Sequence, residues 1–172
     1  METKVTTHVV KGLVIALILI VISLIGQFLE INLETWFSWT SVLIFIAAIT
    51  VAVNIYGKQV NYNATFGNLF AHGFKTTAVV VCITFLFTVL SMYVLFPDMI
   101  DKIIAKGMED AKRQGKITDE QIQQGGDMIR KITVITLLAG SLIGGLVMGA
   151  IGGLLGAIFT KKNPQTPFQQ TM

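Results

Sequence analysis

The sequence predicts an all-α fold, an integral membrane four-helix bundle with an extramembrane helical hairpin between spans three and four. Three observations carry this. Only 13% of the 172 residues are charged and the mean hydropathy is +0.70, whereas a soluble domain is about 25% charged. Every Asp, Glu, Lys and Arg lies outside four apolar stretches, residues 12–29, 35–57, 76–97 and 132–160. Each is long enough to cross a bilayer, which takes about 18 apolar residues. The run from Leu13 to Ile22 lacks the apolar–polar alternation of a barrel strand, and in hydrocarbon only helices or closed barrels satisfy their backbone polar groups. The chain, 1–172, therefore reads as one membrane domain with spans near 9–29, 35–57, 74–97 and 132–160 and the hairpin near 98–131.

The elements follow in order. Lys4 and Lys11 precede the first span as in a signal peptide, but Leu24-Ile25-Gly26-Gln27 offers no small-x-small cleavage pattern, so an uncleaved helix is expected. Trp36 and Trp39 open the second span and Tyr56 closes it, aromatic rings suited to headgroup depth. In the connection 57–75, Tyr62, Phe66, Phe70 and Phe74 recur every fourth residue, while Asn63, Asn68 and His72 fall off that stripe. This pattern predicts an amphipathic elbow helix lying flat at the interface and packed on the bundle, with binding of a lipid headgroup or peptide as the alternative. Tyr93, Phe96 and Pro97 mark the exit of the third span.

The hairpin also follows from spacing. Ile100, Ile103, Ile104, Met108 and Ala111 form one apolar face, and Asp98 with Lys102 and Glu109 with Arg113 are i,i+4 pairs on the wet side. Gly115 suits a left-handed helix end. Thr118 and Gln121 have capping-box spacing for a second helix starting near Asp119, with Ile117 and Ile122 as its staple. Gly125-Gly126 then offers a bend into the fourth span.

The fourth span carries seven glycines. Ser141, Gly145, Gly149, Gly153 and Ala157 make an unbroken helix-packing row at a spacing of four, a groove that another backbone can approach closely. It can seat another span of the same chain, a second copy, or the wall of a pore.

Lysine placement sets the expected orientation. Putting the amino terminus inside leaves six lysines inside and seven Lys/Arg in the 98–131 loop outside, so counting alone decides nothing. Early helices dominate insertion, and Lys161-Lys162 follows the last span, so both termini are expected in the cytoplasm.

The chemistry that sequence motifs would announce is sparse. His8, His72 and Cys82 are far apart in sequence, the glycines do not form a phosphate loop, and none of the four uncharged stretches holds His, Lys, Arg or a carboxylate. No enzyme, cofactor or metal site is expected, and no basic block points to nucleic acid. The expected partners are the lipid bilayer and either a second copy or another membrane protein. The expected role is a non-enzymatic accessory or scaffold, with a subunit of a small oligomeric channel or transporter as the alternative.

The segment Thr65-Phe66-Gly67-Asn68-Leu69-Phe70-Ala71-His72-Gly73-Phe74-Lys75, the exit Phe96-Pro97-Asp98 and the ending Gly156-Ala157-Ile158-Phe159-Thr160-Lys161-Lys162 carry a resemblance. With them, roughly residues 8–162 resemble the uncharacterised bacterial four-span membrane-protein family known as domain of unknown function four-one-nine-nine. The resemblance implies the four-span topology and brings no activity, cofactor or site residue; the expected location is the bacterial inner membrane. The fourth span departs from the family pattern in having more glycines.

Overall fold

The computed structural model describes residues 5–115 and 126–163, with only the backbone of Gly126 and Asp127. Its elements are α1 (His8–Phe28), α2 (Thr35–Gln59), α3 (Phe66–Leu90), a π-helical turn (Ser91–Leu95), α4 (Met99–Arg113) and α5 (Gly126–Phe159). Among the described residues four helices are long and apolar enough to cross a membrane, His8–Phe28, Thr35–Gln59, Phe66–Leu95 and Met128–Phe159. Most of their large apolar side chains are exposed, among them Leu17, Val21, Leu43, Leu86, Ile143 and Ile158. In water such a surface would aggregate; in lipid it is the solvated face. The protein is an all-helical, multi-pass membrane protein.

Two compact units make up the chain. The first holds residues up to Thr84 and from Gly144 onward; the second holds Phe85–Ile143.

In the first unit, α1 and α2 form a hairpin whose turn rests on Gly26. The Gly26 carbonyl accepts from the backbone N–H of Ile31 and Asn32, and the Phe37 ring lies over the missing side chain. The second turn, 60–65, is tight. Asn61 and Tyr62 both adopt positive φ (53° and 60°), and the Tyr62 N–H donates to the Gly57 carbonyl at 2.8 Å. After α5 the chain is tied to this turn, since Asn163 donates through its backbone N–H to the Tyr62 carbonyl and through Nδ2 to the Asn61 carbonyl. Thr65 then caps α3, its Oγ1 accepting from the Asn68 N–H.

The expected flat elbow is not formed. Residues 66–75 are the opening turns of α3, which runs without interruption from Phe66. The reason lies on the other side of the stripe. Leu69, His72, Gly73, Thr76, Thr77 and Val80 form a buried face at helical spacing, and it is continuous with the face of the span, so the segment extends the helix and packs upright. Phe66, Phe70 and Phe74 run in file, with ring centroids 6.5 and 6.1 Å apart; Phe66 and Phe74 are exposed, while Phe70 is half-buried and packs against the cluster of Val53, Ala64, Leu69 and Ala157.

The last turns of α5 seat against both α3 and α2. A Cβ added to Gly149 would lie 2.8 Å from Thr77 Cβ, one added to Gly145 2.9 Å from Val81 Cγ2, and one added to Gly73 2.9 Å from Gly153 Cα. Four residues up α5 thus match four residues down α3, the register of an antiparallel pair. Gly152 and Gly156 face α2 instead, where an added Cβ would lie 3.0 Å from Ile49 Cβ and 2.6 Å from Val53 Cβ. Here both numbers rise together, and the pair is parallel. Thr50 Oγ1 adds an interhelical bond to the Gly152 carbonyl at 3.1 Å. Ala157 is buried with Val53, Ala64 and Leu69. Ser141, at the head of the row, is exposed and its hydroxyl turns back to the Leu138 carbonyl.

In the second unit, α4 presents Ile100, buried, with Ile103, Ile104, Met108 and Ala111 half-buried. Glu109 accepts from Arg113 at 2.6 Å on the wet side, and Asp101 pairs with Arg130 of α5. Exposed pairs of this kind contribute little, about 0–1 kcal/mol. Gly115 takes φ +66° just past the helix end, where its N–H donates to the Lys112 carbonyl. The expected second hairpin helix, with Thr118, Asp119 and Gln121, lies outside the described residues. Gly126 is the first residue of α5, continuous with the span.

The glycine contacts make a sharp prediction. Gly149→Leu and Gly73→Ala should each lower thermal stability in detergent, by about 1–3 kcal/mol, as overpacking does. A Cβ at Gly144 would meet nothing within 4 Å, so Gly144→Leu should melt like the parent. All three should keep the parent's particle size on a column, because the contact lies within one chain.

Candidate functional site

Three helix ends of the first unit bring polar side chains together. The first turn of α1 supplies His8 and Lys11. Lys11 is carried inward because it shares a face with Ile15, one turn on, and both are buried. The last turn of α2 supplies Tyr56 and Gln59, three residues apart. The first turns of α3 supply Asn68, His72 and Lys75, which recur at helical spacing along one side.

Lys11 and His72 are each only 8% exposed. The Lys11 ammonium donates to Gln59 Oε1 at 3.1 Å and stands 3.4 Å from His72 Nε2. An ammonium has donors only, so Nε2 accepts and the ring proton sits on Nδ1. Tyr56 stacks flat on the His72 ring, with centroids 3.9 Å apart and planes 3° apart, and Lys11 Nζ stands 5.4 Å from the Tyr56 ring centre. The His8 ring meets His72 edge-on at 6.2 Å. Gln59 is held in turn by the chain entering α1, accepting from the Thr6 N–H at 3.2 Å and donating to Thr6 Oγ1.

Beside this cluster lies a pocket of about 260 Å³ lined by His8, Tyr56, Asn68, Ala71, His72 and Lys75. It is smaller than the roughly 300–1,000 Å³ of drug-sized ligand sites. Asn68 and Lys75 are exposed at its rim, and His72 is buried at its wall. Among the described residues no group of three or more His, Cys, Asp and Glu gathers in a metal-binding arrangement.

The charge around the pocket is one-sided. Within the described part of the first unit, Lys11, Lys58, Lys75, Lys161 and Lys162 all lie at the end where α1 starts and α2 finishes, and Glu30 and Glu34 lie in the turn at the other end. From Lys11 to the end of α1 at Phe28 is about 25 Å at 1.5 Å per residue. Lys11 therefore has no carboxylate partner among the described residues.

The residues singled out from sequence fall elsewhere. Trp36 and Trp39 are exposed at the start of α2, at the glutamate end. Tyr62 sits in the 60–65 turn, half-buried, and Lys162 Nζ stands 5.5 Å from the Phe66 ring centre. Gly145, Gly149, Gly153 and Ala157 line α5 against α3, away from the pocket. In the sequence alone His8 and His72 read as unrelated and Lys11 as a flanking charge. The signal that could have found them is the depth at which they lie. His8–Lys11, Tyr56–Gln59 and Asn68–His72–Lys75 each repeat on one helix face at the same end of adjoining spans.

The sequence profile of the family described as Protein of unknown function (DUF4199) matches residues 11–162. The chain belongs to this family. The match covers the candidate site from Lys11 to Lys75 as well as the glycine row of α5, and leaves out His8. Neither a curated protein nor a solved structure matches the chain.

The Lys11–Gln59 bond can be tested directly. Gln59→Ala should destabilise the protein by about 1.5–3 kcal/mol, the range for a hydrogen bond to a charged group. In a Lys11→Met background the same substitution should cost clearly less, because no buried ammonium is then left without its acceptor. A double-mutant cycle read by thermal unfolding in detergent checks both values.

Proposed function

We propose that the protein is a non-enzymatic accessory or scaffold protein of the bacterial inner membrane, with both termini cytoplasmic, that acts by binding. The observation that carries this reading is the character of the polar site. Its pocket offers hydrogen-bond donors, and the amine that stands near a base, Lys11 beside His72, is buried behind the lining. Lys11, an ammonium without a free lone pair and set back from the lining, is not placed to attack a substrate in the pocket, whereas a set of donors on rigid helix ends suits recognition. The grouping of all described lysines of the first unit at one end supports a cytoplasmic location for that end.

The alternative, an oligomeric channel with fourth helices at its axis, draws less support. The row that would line such an axis, Gly145, Gly149 and Gly153, is occupied by α3 of the same chain.

Two measurements test the reading. Reporter fusions after Lys58 and after Gln114 should report the cytoplasm and the periplasm respectively; the reverse pattern would overturn the orientation. Protein reconstituted into vesicles should pass no more ion current than empty vesicles, and a reproducible unitary conductance would replace the scaffold reading with the channel.

A further inference from the structure

The pocket at the lysine end has a ligand chemistry of its own. Four basic side chains converge there, with His8, His72 and Lys75 on the lining and Lys11 directly behind His72. Among the described residues of that end there is no Asp or Glu to balance them. A buried ammonium held only by neutral groups is costly, and its attraction for an anion is strong because little water screens it. Lys11 is in this position, since its contacts are the Gln59 carbonyl oxygen, the His72 ring nitrogen and the Tyr56 ring face.

His72 transmits that charge to the pocket. Its Nε2 faces Lys11, leaving Nδ1–H as a donor with no hydrogen-bond partner among the described residues, on a side chain that is 8% exposed and lines the cavity. An imidazole that accepts from an ammonium at one nitrogen is a stronger donor at the other. Tyr56, stacked flat on the ring, stops it from turning away. Asn68 and Lys75 stand one turn either side of His72 on the same helix, adding an amide and an ammonium that reach the same space. The volume, about 260 Å³, suits a group the size of a phosphate and its ester substituent.

We propose that the pocket formed by His8, Asn68, His72 and Lys75 is a binding site for an anionic phosphate group. Two sources carry that chemistry, the headgroup of an anionic phospholipid and a soluble phosphate compound. The site rests on no assumption about which side of the membrane the lysine end faces, nor on the scaffold reading.

The test uses the full chain purified in mild detergent, with phosphatidylglycerol, phosphatidylcholine of the same acyl chains, and inorganic phosphate as probes. Thermal unfolding and native mass spectrometry read the binding. Phosphatidylglycerol should bind saturably and raise the unfolding midpoint well above phosphatidylcholine. Lys75→Gln and Asn68→Ala, both at exposed positions, should each weaken it about tenfold, the effect of one lost charge-assisted hydrogen bond. Lys58→Gln, an exposed lysine at the same end but outside the lining, should change it less than about twofold. Saturable binding of inorganic phosphate with the same response to Lys75→Gln, and none of phosphatidylglycerol, would support the site and assign it to a soluble anion. Equal binding of the two lipids, no binding of any probe, or equal losses in Lys58→Gln and Lys75→Gln would overturn the proposal.

Discussion

Gly73 and Gly153 let α3 and α5 meet backbone to backbone, and the arrangement of the first unit depends on that contact. Within a bilayer the apolar surfaces of two helices gain nothing by leaving lipid, so association rests on close packing and on interhelical hydrogen bonds. A Cβ on Gly73 would stand 2.9 Å from Gly153 Cα, a distance no side chain tolerates. Gly149 against Thr77 and Gly145 against Val81 extend the contact by one and two turns and fix its register. On a second side of α5, Gly152 and Gly156 admit Ile49 and Val53 of α2, with the Thr50 hydroxyl bonded to the Gly152 carbonyl. Glycines weaken a helix by about 1 kcal/mol each in water, and here they are concentrated where two neighbours press on one helix.

The polar site inherits its geometry from this packing. Gly73 sets both the height and the rotation of α3, and His72 is the adjacent residue. From the other side Gly12 seats α1 on α3, where an added Cβ would lie 2.7 Å from Val79 Cβ and 3.1 Å from the Thr76 carbonyl oxygen. Lys11 is adjacent to Gly12 and is thereby delivered to His72. Two close helix contacts, each beside a polar residue, thus place an ammonium and an imidazole within 3.4 Å. Tyr56 and Gln59 complete the arrangement from the end of α2, one by stacking and one by accepting a hydrogen bond. A buried polar cluster of this kind is stable only while its members are satisfied, so the rigidity of the helix ends and the character of the site are linked.

Helix α4 and the segment 66–75 show how far periodicity alone reaches. The apolar stripe of α4 and the left-handed turn at Gly115 follow directly from local spacing, because an amphipathic helix and its glycine end are decided by neighbours in sequence. The aromatic file Phe66, Phe70 and Phe74 is equally plain, yet it did not reveal whether the helix lies flat or stands upright. That choice was made by the opposite face, where Leu69, Gly73, Thr76 and Thr77 are buried against the rest of the unit. One amphipathic pattern suits both postures, and the partner decides between them.

By itself the sequence determined that the protein is helical and membrane-spanning, because charge-free stretches of 18 residues or more leave the backbone no other way to satisfy its polar groups in lipid. It also determined which helix is lined with small residues, since a spacing of four places Gly145, Gly149 and Gly153 on one face whatever surrounds them. Only the tertiary structure decided which helices fill that face. A bare groove is complementary to any close-packing backbone, and the choice of α3 on one side and α2 on another depends on Thr77, Val81, Ile49 and Val53 lying at matching depths. The tertiary structure alone also joined His8, Lys11, Tyr56, Gln59 and His72, which span more than sixty residues of chain. Their meeting depends on the relative height of three helices, a quantity that no local spacing encodes.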